Sequence, residues 1–424
     1  MKDLTAKHFV LGFQHLFAMF GATVLVPTLT GLNPSIALLA AGLGTLVFHL
    51  ITGGKVPVFL GSSFAFIGGI MALMDNNVQN IPIVQGGVIA AGLVYILFSV
   101  IIYFVGTDRI KKLFPPVVTA PVIIVIGLNL SPSAIANAST CWPLAILVLV
   151  VIICVMCFSK GFFKLVPILI GLASGYLIAL LLDITGLTAL WNLAEGGKFI
   201  DFKAISEAGW IISPSSFSLP KFDLTAITML APIALVTFME HIGDITTNGA
   251  VVGKDFYKDP GLHRTLLGDG IATAVSGLIG GPPNTTYGEN TGVLAVTKMY
   301  DPRLLRITAC YAILLGIFAK FGAILQTIPV AVMGGVSMVL FGMIASVGLR
   351  SLCDAKLDFS HSRNLLIVAL VLVIGLGLGD ASVKWIFDLF GAGNLAIAQN
   401  LKLSGLFVAT VVGVIMNQIL PQEV

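Results

Sequence analysis

The sequence predicts an all-α polytopic membrane protein of fourteen spans, arranged as two inverted seven-span repeats. Three observations carry this. Hydrophobic residues make up 57% of the 424 residues and charged residues only 10%, where a soluble domain carries about a quarter charged. Apolar stretches close to the roughly 20 residues that cross a hydrocarbon core recur along the whole chain. Two of these stretches, in corresponding positions of the two halves, are interrupted by Pro, Gly and β-forming residues, a pattern that points to a transporter binding site.

The chain opens Met1-Lys2-Asp3-Leu4-Thr5-Ala6-Lys7 with no small-residue cleavage site after a brief apolar core, so the first apolar segment is expected to be retained as a span. Spans are expected at 8–29, 35–52, 57–74, 84–104, 115–131, 142–158, 165–184, 224–243, 265–280, 283–299, 304–322, 328–347, 362–379 and 404–420. With the N-terminus in the cytoplasm, seventeen of the 23 basic residues fall at inside loops and span ends, among them Lys2, Arg109, Lys112 and Arg363, against six outside, such as Lys198, Lys320 and Lys384. That bias sets the orientation and puts both termini in the cytoplasm. The long polar stretch from Thr185 to Asp223 separates the halves on the outside, and its Trp191 and Trp210 read as interface anchors.

Spans 3 and 10 are expected to be broken. Val56-Pro57-Val58-Phe59-Leu60-Gly61-Ser62-Ser63-Phe64 and Pro282-Pro283-Asn284-Thr285-Thr286-Tyr287-Gly288-Glu289 each read as extended chain entering a short helix. Such backbone survives at bilayer depth only when buried in protein or lining a cavity. Pro57 and Pro283 are 226 residues apart, as are Gln14 and Glu240, and an odd number of spans per repeat turns the second half upside down. The broken segments then oppose one another near the midplane and offer helix N-termini to a ligand.

Acids inside spans are expensive, so each is a functional candidate. Glu240, Asp244, Asp269 and Glu289 lie in or just beyond spans. Glu240 and Asp244 are one turn apart on one helix face, and two acids so close in low dielectric cannot both be ionised cheaply. A protonatable acid beside a ligand-binding acid is what proton coupling needs. His241 is turned about 100° from Glu240 and faces elsewhere. Asp244 has an alternative as a solvated cap or partner of Lys254, Asp269 reads as a structural acid near a span start, and Glu289 has an alternative as a helix cap. His15 is either a satisfied core histidine or a site-lining group, and His49 reads as a boundary residue.

No basic residue occupies the middle of any span, which argues against a carboxylate or phosphate substrate and against an anion exchanger of similar architecture. A neutral solute with several N–H donors suits two Glu acceptors, and Phe64, Phe66 and Tyr287 could stack on a flat ring; together these lean toward a nucleobase. The net charge of +3 suggests no nucleic acid, and the six histidines are too dispersed for an enzyme's site. Cys154 and Cys157 form a CxxC inside an apolar run, where cysteine behaves as a small hydrophobe, so no metal and no cofactor are expected.

Glu289-Asn290-Thr291-Gly292-Val293-Leu294-Ala295-Val296-Thr297-Lys298 satisfies the pattern [QEP]-N-x-G-x-x-x-x-T-[RKG] of the nucleobase-ascorbate transporters, also called nucleobase:cation symporters. Pro283 to Gly288, Gly61 to Phe66, and Gln14 to Pro27 resemble the bacterial uracil permeases of that family, and the likeness covers nearly the whole chain. The resemblance implies a core domain, 1–104 (spans 1–4) and 224–322 (spans 8–11), moving against a gate domain, 105–223 (spans 5–7 plus the external loop) and 323–424 (spans 12–14). It implies that Glu240, Glu289, Phe64, Gly288, Tyr287 and Ser63 hold the base, that Asp244, Glu240 and His15 couple protons, and that Asn290, Gly292 and Thr297 are motif residues. A homodimer in the cell membrane, surrounded by lipid, is also implied. Where such uracil permeases often place His, this chain has Asp244, as many purine relatives do, whereas Glu289 pulls toward uracil. Uracil therefore ranks first as the substrate and a purine base, xanthine or uric acid, second.

Overall fold

Proline and capping side chains set where the spans begin. The computed structural model describes residues 6–75, 77–161, 163–190, 193–194, 197–378, 380–382 and 402–421; Lys2, Trp191 and Lys384 lie outside the described residues. Span 1 is Ala6–Thr30, and span 2, Pro34–Ile51, starts on a proline whose missing N–H costs nothing at a helix start, with Asn33 accepting from the Ser35 N–H at 2.9 Å. Proline in the first turn also opens spans 4 (Ile81–Val105), 5 (Pro116–Asn129), 6 (Trp142–Phe158), 7 (Pro167–Thr185) and 11 (Pro302–Ile317). Span 8 is capped by Asp223 and runs as Leu224–Leu230 and then Ile233–Val252, broken at Ala231-Pro232. Spans 9 (Leu262–Ile279), 12 (Val330–Asp354), 13 (Ser362–Gly377) and 14 (Gly405–Ile419) complete the straight helices.

Spans 3 and 10 are broken as expected. Span 3 is strand β1 (Leu60–Ser62), a 3-10 turn (Phe64–Phe66) and a half-helix (Ile67–Met74); span 10 is strand β2 (Asn284–Thr286) and a half-helix (Gly288–Thr297). The strands pair antiparallel, Leu60 with Thr286, Gly61 with Thr285 and Ser62 with Asn284. The ladder extends through Ser63 N–H to Pro283 O at 2.8 Å and Tyr287 N–H to Phe59 O at 3.0 Å. Antiparallel pairing sends the two half-helices off in opposite directions, as an inverted repeat requires. The fourteen spans are therefore two inverted seven-span repeats. Among the described residues, seven helices are long and apolar enough to cross a membrane singly, and the remaining spans are shorter, broken or more polar.

A ribbon of two three-residue strands leaves its outer backbone groups unpaired, which hydrocarbon would penalise by several kcal/mol each. Neighbouring spans supply the partners. Thr45 of span 2 receives the Leu60 N–H at 2.9 Å, Thr273 of span 9 donates to Asn284 O at 3.0 Å, and Asn248 Nδ2 of span 8 donates to Pro57 O, just before the ribbon, at 3.0 Å; in turn the ribbon's Ser62 Oγ donates to Thr23 O of span 1 at 3.1 Å.

Spans 9 and 11 pack on spans 4, 2 and 1, while span 12 packs on spans 5, 6 and 7 and spans 13 and 14 pack on each other and on span 5. Glycine permits the closest crossings. A Cβ on Gly92 of span 4 would stand 2.7 Å from Gly270 O of span 9, and one on Gly348 of span 12 would stand 2.7 Å from Ala120 O of span 5. Between the two groups lie apolar layers that mix Leu16, Met19 and Phe64 with Val336, Leu340 and Phe341, and Leu230 and Phe238 with Val118, Ile126 and Leu406.

Several described elements go beyond the sequence reading, among them two short helices and a ribbon. A short helix, Thr107–Leu113, joins spans 4 and 5; a second, Ser131–Ser139, continues span 5; and a two-stranded ribbon pairs Asp380–Ser382 with Lys402–Ser404 before span 14. The first two are too short and too polar to carry a span's hydropathy signal, and ribbon pairing is a nonlocal contact.

Candidate functional site

The site forms where span 8 passes the β1–β2 ribbon. Glu240, Asp244, Glu289 and Asp269 converge within electrostatic reach of one another, Glu240 interacting with all three. Spacing brings Glu240 and Asp244 onto one face of span 8, and strand pairing then delivers the start of span 10 to that face. Thr286, on β2, donates its hydroxyl to Asp244 Oδ2 at 2.7 Å. A Cβ built on Gly288 would meet only Asp244 Oδ1, at 3.8 Å, so the backbone is open to a ligand at the first turn of the half-helix. Asp244 is thus neither a solvated cap nor a partner of Lys254. Glu289 sits in the first turn of that half-helix.

Buried polar atoms here lack partners. Glu240 Oε2, Ser63 Oγ and His15 Nε2 are each buried with no hydrogen bond among the described residues. Such atoms are uncommon in folded chains because each forfeits its hydration. His15 is held by Asn290, whose Nδ2 donates to His15 O at 3.1 Å and approaches Nδ1 at 3.3 Å. The motif asparagine therefore fastens span 10 to span 1 and fixes the ring. Thr297 donates to Val293 O at 2.8 Å, closing the last turn of the half-helix, and a Cβ on Gly292 would meet open space.

The aromatic expectations divide. Phe64 is buried and stands edge-on to Phe341 of span 12, ring centroids 6.2 Å apart, so it lies at the meeting of the two packing groups. Tyr287 is committed elsewhere: its ring covers Gly61 so closely that a Cβ there would collide with it, and its hydroxyl donates to Ser62 O at 2.9 Å. Tyr287 thus braces the ribbon. Phe66 is fully buried against spans 4 and 8, away from any open surface.

Other residues take roles that the sequence did not announce. Asp269 is fully buried, well inside span 9, and pairs with His241 Nδ1 at 3.1 Å, while His241 Nε2 meets Thr265 Oγ1 at 3.0 Å. It is no cap at a span start. His241 does face away from Glu240. His49 is buried, its Nε2 bonded to Val58 O at 2.9 Å, and so supports span 3 from span 2. Thr286 and Phe341 had no individual signal, since one depends on strand register and the other on packing between the halves.

A broken-helix pair, opposed half-helix N-termini and a cluster of intramembrane acids define a multi-pass membrane transporter. A sequence profile described as "Permease family" matches residues 6–382, and the chain belongs to that family, the nucleobase-ascorbate transporters. Among curated relatives, the probable uracil permease of Haemophilus influenzae is 40% identical, covering 98% of this chain and 95% of the relative. The uracil permease of Bacillus subtilis is 42% identical, covering 96% and 91%, and that of Escherichia coli K12 is 37% identical, covering 95% and 89%. Among solved structures, the transmembrane domain of the cyanobacterial bicarbonate transporter BicA aligns with TM-score 0.66 at 17% identity, covering 91% of this chain and 97% of that one. The murine Slc26a9 anion transporter aligns with TM-score 0.67 at 10% identity, covering 99% and 68%. At such identities the structures share the fold alone.

Proposed function

We propose that the chain imports a nucleobase, uracil, across the cell membrane by proton symport, with residues 1–104 and 224–322 as a core that moves against a gate of 105–223 and 323–424. The observation that carries the reading is Glu240 Oε2, a buried acceptor without a partner among the described residues, set beside Asp244, Glu289 and the open backbone at Gly288. Uracil carries two ring N–H donors and two carbonyl acceptors. Glu240 and Glu289 would accept from the N–H groups, and the backbone N–H groups at Phe64 and Gly288 would donate to the carbonyls. Ser63 Oγ and His15 Nε2 border the same region as further unsatisfied groups, and Phe64 supplies the apolar wall. The uracil permeases among the relatives support this substrate over a purine base.

Asp244 is assigned the coupling proton, because an acid one turn from the ligand-binding Glu240 changes charge as the site changes its exposure. The distribution of basic residues supports cytoplasmic termini. The family resemblance adds a homodimer joined through the gate spans. The deciding experiment is uptake of radiolabelled uracil into cells lacking their own permease, competed with pyrimidines, purines and inorganic anions. Competition by uracil alone supports the reading; competition by xanthine or uric acid moves the substrate to the purines, and competition by anions removes it from the nucleobases.

A further inference from the structure

A cavity of about 900 Å³ opens at the ends of spans 4, 5, 13 and 14, on the face that carries most of the basic residues, and none of the four clustered acids lines it. Its lining includes Arg109, Lys112 and Arg363, together with the amide side chains of Asn364, Asn417 and Gln418, and no carboxylate among the described residues. Arg363 is held in place: its Nη2 donates to Asn417 Oδ1 at 2.6 Å and Asn417 O at 2.8 Å. Arg109 and Lys112 stand on the short helix between spans 4 and 5 and have no ion pair among the described residues. Three cations sharing a concavity with no carboxylate among its described lining residues repel one another, and an anion between them relieves that repulsion. The rest of the wall, including Val105, Leu113, Val117 and Leu420, is apolar.

We propose that this cavity binds a phosphate group, with the two free cations and the preset guanidinium as its ligands and the apolar wall accommodating whatever the phosphate is esterified to. Guanidinium and ammonium groups at the water boundary of a membrane are suited to phosphate oxygens. The chemistry fits an anionic phospholipid headgroup or a soluble phosphate ester. The site lies where the helix leaving span 4 meets spans 13 and 14, so an occupant ties that helix to the far packing group and is expected to raise thermal stability.

The test uses the full chain in phosphatidylcholine nanodiscs, with thermal unfolding and bound-lipid mass spectrometry as readouts. The probes are phosphatidylglycerol in the bilayer, and inorganic phosphate or glycerol 3-phosphate in solution, against chloride at equal ionic strength. The parent is expected to be stabilised by at least one phosphate probe and not by chloride. Arg109→Gln/Lys112→Gln is expected to weaken that binding by roughly 30-fold, the effect of two basic side chains at a membrane surface, while Lys254→Gln/Lys258→Gln changes nothing. Protection by phosphatidylglycerol alone identifies the lipid as the source, and protection by the soluble probes identifies a free ester; both support the site. No protection by any probe, or equal protection of the Arg109/Lys112 variant, overturns it. Uracil uptake by that variant stays near the parental level in either case, which separates this outcome from failure of the transport reading.

Discussion

The Thr286 hydroxyl donates to Asp244 Oδ2 at 2.7 Å, linking the strand of span 10 to the helix of span 8 across 42 residues of sequence. The bond places one oxygen of Asp244 against the ribbon and leaves the other beside Gly288, so the acid touches the element that would carry the base.

Asp244→Asn is expected to uncouple transport. A neutral amide keeps a hydrogen bond to Thr286 but cannot change charge as the site alternates between faces, and the proton gradient loses its hold on the conformational equilibrium. Accumulation against a gradient should disappear while exchange of internal for external base persists, measured as net uptake and counterflow in proteoliposomes. Retention of both, with the parental pH dependence, would move the coupling role to Glu240 or His15.

Glu240→Gln should abolish uptake with membrane insertion intact. The amide keeps the shape but can place a donor against a donor N–H of the base, and such a loss at a buried polar pair costs about 1 to 3 kcal/mol. Near-normal uptake by this variant removes Glu240 from the substrate site.

Glu289→Gln exchanges a pure acceptor for a group that donates and accepts. Uracil binding should weaken and the relative tolerance for purine bases should rise, read from competition by a base panel. An unchanged profile would leave Glu289 as a helix-start acid only.

Gly61→Ala is expected to be more damaging than its size suggests. The added methyl runs into the Tyr287 ring, and the ring is pinned by its hydroxyl bond to Ser62 O. Overpacking of this kind costs about 1 to 3 kcal/mol, and here it displaces the ribbon that sets the site. Thermal unfolding in detergent and uptake should both fall; a Gly61→Ala protein as stable and active as the parent would mean that Tyr287 moves freely.

Asp301 precedes span 11 in the connection from span 10. Partial burial pushes its carboxyl up, but hydrogen bonds and charge from Arg303, with His8 adding to them, outweigh this and hold it below the usual carboxylate range. A lowered folded value contributes stability that is present above the unfolded pKa, about 4, and is lost as pH falls through the folded value. The parent should therefore exceed Asp301→Asn in thermal stability at neutral pH, with the gap closing only below about pH 4. Asp301→Ala also removes the cap on Arg303 N–H and should cost about 1 kcal/mol at neutral pH. A gap between the parent and Asp301→Asn that does not vary with pH would refute the linkage.

Much of this molecule was legible along the chain. Hydropathy located all fourteen spans, because hydrocarbon demands apolar side chains and internally satisfied backbone wherever the chain crosses. Pro57 and Pro283 marked the two breaks because each stands with Gly, Ser or Thr and β-forming residues in a short run, where a lone proline such as Pro27 of span 1 does not interrupt the helix. The acids stood out as well, because the energetic cost of Glu240, Asp244 and Glu289 at depth is a property of the residue and its apolar neighbours alone.

What tertiary structure decided is which of these groups is free to act. Tyr287 reads as a stacking surface, yet register places its ring over Gly61 and its hydroxyl on Ser62. Asp269 reads as a span-start acid, yet the packing of span 9 against span 8 pairs it with His241. Asn290 belongs to a motif whose pattern could not reveal that it holds His15 from the opposite repeat. A residue's polarity and local conformation are written in its immediate sequence, but its hydrogen-bond partner is chosen by strand register and helix crossing. Those are set by contacts from 28 to 275 residues apart, and only the folded chain brings them together.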